Sequence, residues 1–126
     1  MGLLSFPMLI RAFAWMANRN EKAKSMIRGN KTVQLEVEGE RPICIHLAQS
    51  KVTYEKGRAE KPDVVLRTTR ENILRMLSGE LRQDEAFTFK KIEVVGSVAD
   101  AMRFNQMAQA IMPSSGFLVK LVKAIA

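Results

Sequence analysis

Between residues 31 and 68 the chain alternates apolar and polar side chains with a period of two, a pattern few architectures accept. In KTVQLEVEGE, Val33, Leu35 and Val37 alternate with Gln34, Glu36 and Glu38 before Gly39 turns the chain. RPICIHLAQ puts Ile43, Ile45 and Leu47 on one side and Cys44, His46 and Ala48 on the other. KVTYEKG offers Val52 and Tyr54 and turns at Gly57, and KPDVVLRTT offers Val64 and Leu66. KIEVVGS returns to the same period, with Ile92 and Val94 inward. One greasy face and one wetter face mark a largely antiparallel sheet covered on a single side. The short links between the first three strands read as a meander.

Such a sheet needs helices to cover it. Leu9, Phe13 and Met16 line one side of a first helix, and Arg11, Asn18, Lys22 and Ser25 line the other. Ser5 is a candidate cap, Pro7 fits the first turn, and Gly29 closes the helix beside Arg28, so one helix is expected over 1–29. Arg11 falls inside the apolar stretch rather than before it, which argues against a cleaved signal, and no apolar run is long enough to span a bilayer. In TTRENILRMLSGE, Thr68 and Glu71 have capping-box spacing, Ile73, Leu74 and Leu77 form a stripe, and Gly79 stops the helix. QDEAFTFKK reads as a short helix. Ser97 caps a helix running to about Met112, with Ala101, Met102, Ala108 and Ile111 inward. PSSG then breaks the chain before a tail helix over 116–126, where Phe117, Leu118, Leu121, Val122 and Ile125 make one broad stripe. The 126 residues form a single domain, 1–126.

A formal net charge of +7 favours acidic partners: nucleic acid, an anionic membrane or acidic ligands. The basic residues are scattered over every element, however, and Phe87 and Phe89 sit in a short helix rather than along a strand, which argues against a stacking platform for bases. The lone Cys44 excludes an internal disulfide and leans the chain toward the cytoplasm. Cys44 and His46 share one side of a strand, but no second ligand pair follows at metal spacing. Glu36, Glu38, Glu55 and Glu93 alternate with apolar residues and read as solvated, and no phosphate loop or nucleophile elbow is present. The expectation is a protein that is not an enzyme and uses no metal or cofactor. Methionine is in excess: Met8, Met16 and Met26 lie in the first helix and Met102, Met107 and Met112 in the penultimate one. Flexible thioethers suit a wall that adapts to varied guests, and they equally fill an ordinary core.

The segment PDVVLRTTRENILRMLSGELRQDEAFTFKKIEVVGSVADAMRF resembles the sterol carrier protein 2 domain family. The matching positions are Pro62, Asp63 and Val64, then Leu77, Gly79, Leu81, Ala86 and Phe87, and finally Ile92, Val94, Gly96 and Met102. With the upstream hairpins and Gly39, the likeness covers roughly residues 25–112. Lys90 stands where a glycine is usual, and Ser97 replaces the common Asp or Asn while keeping the ability to cap. The resemblance implies an α+β fold: a five-stranded, mainly antiparallel sheet, helices packed on one face, and a hydrophobic tunnel between them. It implies non-catalytic binding or transfer of sterols, fatty acids, acyl-CoAs or phospholipids. On that reading Leu77, Phe87, Met102 and Leu121 line the cavity, with Phe13 and Met107 behind them. Lys120 and Lys123 meet an acidic headgroup, and the tail helix either caps the open end or completes the core. The expected partners are an apolar small molecule and, transiently, an anionic membrane surface. Two other readings stay open: a scaffold of a lipid-processing complex without its own ligand, and a basic nucleic-acid-binding domain.

Overall fold

The computed structural model describes residues 6–77 and 92–111, the side chains of 74–77 and 109 excepted. Five strands alternate with helices: α1 (Phe6–Ala17), α2 (Glu21–Ser25), β1 (Lys31–Val37), β2 (Ile43–Ala48), β3 (Lys51–Lys56), β4 (Val64–Thr68), α3 (Arg70–Leu77), β5 (Ile92–Gly96) and α4 (Val98–Ile111). The sheet order is β3-β2-β1-β4-β5. Every neighbouring pair is antiparallel except β1 and β4, which run parallel. The meander and the mainly antiparallel sheet are as the alternation predicts.

Register carries the apolar pattern across the strands. Ile43, Leu35, Leu66 and Val94 lie side by side in one row, and Tyr54, Ile45, Val33 and Val64 in the next. A slip by one residue in any strand would turn its apolar set to the other face. Phe6, Leu9, Ile10 and Phe13 of α1, with Ala101, Phe104, Met107, Ala108 and Ile111 of α4, bury themselves against this face. The inner helical positions of α1 therefore stand where the sequence puts them.

The first helix differs from the expectation: residues 1–29 do not form one helix. Asn20 caps a separate short helix by accepting from the Ala23 N–H at 2.9 Å. The Asn18 side chain, just past α1, bonds the free edge of the sheet, its Nδ2 donating to the Val52 carbonyl at 2.8 Å and its Oδ1 accepting from the Val52 N–H at 2.6 Å. Its carboxamide stands in for a neighbouring strand on β3, an edge that would otherwise present unpaired backbone there. Three polar residues between Ala17 and Glu21 thus end one helix, dock it and start the next.

The capping residue of α3 also shifts by one position. Thr69, not Thr68, accepts from the Asn72 N–H at 3.2 Å. Thr68 remains in β4, where its carbonyl accepts from the Glu38 N–H at 2.9 Å. The cap of α4 falls where expected, with Ser97 Oγ accepting from the Asp100 N–H at 3.1 Å.

The outer face of the sheet is not simply solvated. The link from β3 to β4 crosses it and buries Gln34 and Cys44. Gln34 Oε1 accepts from the Ala59 N–H at 2.9 Å, and the Cys44 thiol donates to the Gly57 carbonyl at 3.2 Å. Burial pushes the Cys44 thiol above its ordinary value, which leaves little thiolate for reaction. Native protein is expected to react with Ellman's reagent about tenfold or more slowly than the urea-unfolded chain; equal rates would mean that the link opens freely.

Candidate functional site

The region with the makings of a site is the interior between the inner face of the sheet and helices α1, α2 and α4. Phe13 and Phe104 meet there in a tilted pair with ring centroids 5.7 Å apart. A recess of about 10 Å³ lies beside them, walled by Met26, Ile27, Val33, Leu47, Phe104 and Met107. That is room for about one water molecule, so packing at this spot is close. Charged groups rim it: Lys31 Nζ lies 3.4 Å from Asp100 Oδ2, and Arg103 Nη1 lies 3.4 Å from Asp100 Oδ1.

Of the residues expected to line a cavity, Phe13 and Met107 are fully buried in this interior. Met102 is not: it is 41% exposed on α4. The inward stripe of that helix runs through Ala101, Phe104, Asn105, Met107 and Ala108, and Met102 sits about 100° round from Ala101, on the solvent side. Leu77 ends α3, and its side chain lies outside the described residues, as do Phe87, Lys120, Leu121 and Lys123. The methionines divide: Met16 and Met107 are buried and Met26 packs on the core, whereas Met8 is 49% exposed.

Asn105 is the residue that the sequence reading passed over. It is 1% exposed, and among the described residues neither its Nδ2 nor its Oδ1 has a hydrogen-bond partner. An unpaired buried carboxamide costs about 1–3 kcal/mol for each group left unsatisfied. Its position, four residues after Ala101 and three before Ala108, is the signal that would have placed it inside.

The outer face carries a charged ladder. Arg67 Nε lies 3.0 Å from Glu36 Oε1 and Arg67 Nη1 lies 3.3 Å from Glu93 Oε1, while Arg58 Nε lies 3.6 Å from Glu36 Oε2. Gln34 Nε2 donates to Glu36 as well. Glu93 and Glu55 are exposed as expected, but Glu36 is enclosed by these partners, a correction to its reading as a solvated carboxylate. The Arg67 hydrogen bond holds the Glu36 carboxyl below its ordinary value of 4.5, against the opposing effect of burial, and Gln34 and Arg58 add to it. A depressed carboxylate stabilises the fold above pH 4.5, and that contribution is lost as pH falls through the lower folded value. Glu36→Gln is therefore expected to flatten the loss of stability below pH 4.5, read by urea titrations at stepped pH; an unchanged acid limb would mean that the ladder does not contribute.

His46 Nδ1 lies 3.2 Å from Thr32 Oγ1 and its Nε2 lies 3.9 Å from Glu55, with Cys44 turned under the link. Among the described residues no group of three or more His, Cys, Asp or Glu could hold a metal ion. No described helix is long and apolar enough to cross a membrane.

A mixed sheet with a parallel β1–β4 pair, roofed on one face by helices around an apolar interior, makes this an α+β fold. The chain belongs to the SCP-2 sterol transfer family, whose model matches residues 13–109. Among curated protein sequences no relative matches. Several solved structures share the fold. A double mutant of the sec-alkyl sulfatase PisA1, an enzyme from Pseudomonas sp., is 17% identical with a TM-score of 0.70, over 82% of this chain and 16% of that one. The chain thus spans about a sixth of the sulfatase. The UbiJ-SCP2 ubiquinone synthesis protein is 18% identical with a TM-score of 0.67, over 90% of this chain and 98% of that one. SCP2L2 from Aedes aegypti is 19% identical with a TM-score of 0.67, over 83% of this chain and 95% of that one. At these identities the likeness is one of fold.

Proposed function

We propose that this chain is a non-catalytic carrier that takes up apolar, lipid-like molecules, of the sterol, fatty acid, acyl-CoA or phospholipid class, in a hydrophobic tunnel between the sheet and its helices. The observation that carries this reading is the apolar inner face of the sheet, roofed by Phe13, Phe104 and Met107, in a chain of this family. The Aedes aegypti SCP2L2 is palmitated in its solution structure, which supports a fatty-acyl guest for the fold. The mechanism is partition: each methylene moved from water into the interior gains about 0.8 kcal/mol, so an acyl chain of about ten carbons gains several kcal/mol before ordering costs. Leu77, Phe87 and Leu121 extend the lining in this proposal, and Lys120 and Lys123 meet an acidic headgroup. Native mass spectrometry of the purified protein is the test. A lipid adduct, or stoichiometric uptake of palmitate by delipidated protein, is the expected result; failure to bind both palmitate and cholesterol would end the carrier reading.

The close packing beside the recess favours a second reading, a scaffold that binds a protein and no lipid. Its signature is a lipid-free mass spectrum together with a co-purifying protein.

Loading from a bilayer fits the outer side of α1, where Met8 and Trp15 are exposed and the Arg19 guanidinium lies 4.3 Å from the Trp15 ring centroid. Trp15 is the sole tryptophan, so its emission is expected to shift to the blue with phosphatidylglycerol vesicles and to return in high salt. An equal shift with neutral phosphatidylcholine vesicles would contradict a charge-guided contact.

A further inference from the structure

We infer that Asn105 is the polar anchor of the interior site, its carboxamide hydrogen-bonding the uncharged hydroxyl or carbonyl of an amphiphile whose chain lies against the apolar sheet face. The inference rests on the carrier reading and adds the class of guest: one whose head is neutral and enters the interior instead of staying at its mouth.

Three polar or charged side chains are buried among the described residues: Gln34, Asp100 and Asn105. Gln34 is satisfied by Ala59 and Glu36, and Asp100 by Lys31 and Arg103. Asn105 alone of the three has no partner. Ala101 and Ala108, one turn to either side on the same flank of α4, are fully buried and small. A carboxamide donates and accepts, and either an alcohol or a carbonyl completes it. A carboxylate head fits poorly, because the nearby cations Lys31 and Arg103 already pair with Asp100, well round α4 from Asn105.

The test compares decanol with undecane, molecules of equal heavy-atom count, on wild type and Asn105→Leu, by displacement of a bound fluorescent fatty-acid probe. The ratio of the decanol to the undecane affinity is expected to fall about tenfold in the variant, while the melting temperature of the unliganded variant rises because an unpaired amide has gone. An unchanged ratio, as a trapped water satisfying Asn105 would produce, overturns the anchor and leaves the carrier standing. Failure of both compounds to bind wild type removes the carrier reading and the anchor with it. Should Asn105→Leu not fold, the carbonyl stretch of undecanone bound to wild type decides: a shift to lower frequency than in alkane supports the hydrogen bond, and the alkane frequency refutes it.

Discussion

Gly96→Ala is expected to lose about 3 kcal/mol of stability in urea titration, among the largest effects of any single methyl added to this chain. Gly96 ends β5 at φ +104°, a conformation that side chains rarely adopt. A Cβ there would also lie 2.6 Å from the Asp63 carbonyl oxygen and 3.2 Å from the Val64 Cα, both backbone atoms that cannot swing aside. The same Asp63 carbonyl accepts from the Ser97 N–H at 3.1 Å, and the Asp63 carboxylate accepts from the Thr32 N–H at 2.7 Å. One extra methyl would therefore press on the junction that starts β4, holds β1 and caps α4. Gly57→Ala is the control, because Gly57 has φ +108° with open space around it. It is expected to lose only the cost of strain, about 1–2 kcal/mol. Equal losses in the two variants would mean that the close approach of β5 to β4 does not require glycine.

Phe104→Ala is expected to lose about 3–5 kcal/mol, the range for deleting a buried aromatic ring. Phe104 is 2% exposed, pairs with Phe13 and walls the recess, so truncation joins that small space to a new hollow of benzene size. Such a hollow stays dry and takes apolar guests, so benzene is expected to raise the melting temperature of the variant and to leave wild type unmoved. A variant that benzene does not stabilise has collapsed around the deletion, and Phe104 would then be a core residue rather than a wall of a site that can be opened.

The two variants probe the start and the middle of one helix. Ser97 caps the start of α4 beside the Gly96 junction, and the middle of the helix buries Phe104, Asn105 and Met107. A shift at the cap moves all three together, since a helix transmits displacement along its length. Gly96→Ala is therefore expected to weaken binding of a guest as well as the fold.

Much of this was legible in the chain. Strand alternation at Val33, Leu35 and Val37, at Ile43, Ile45 and Leu47, and at Val64 and Leu66 marks the inner face, because a pleated strand can bury only every second side chain. The stripe of Leu9, Phe13 and Met16 marks the buried side of α1 for the matching helical reason. Ser97 was recognisable as a cap because that bond spans only three residues. The turn between β2 and β3 was harder: Gln49 and Ser50 both hold positive φ with neither glycine nor asparagine to announce it.

What the chain could not disclose depended on contacts between distant residues. Asn18 reads as one more polar helical position, and only the arrival of Val52 makes it an edge partner. Gln34 and Cys44 alternate onto the wet side of their strands, yet the crossing link buries them. Periodicity tells two faces apart but not which distant segment will lie over each. Local pattern, then, determined the strands, the helical stripes and the apolar face that makes a carrier possible. Tertiary structure alone decided the parallel β1–β4 pairing, the exposure of Met102 and the unpaired burial of Asn105, because each depends on what packs against a residue from far along the chain.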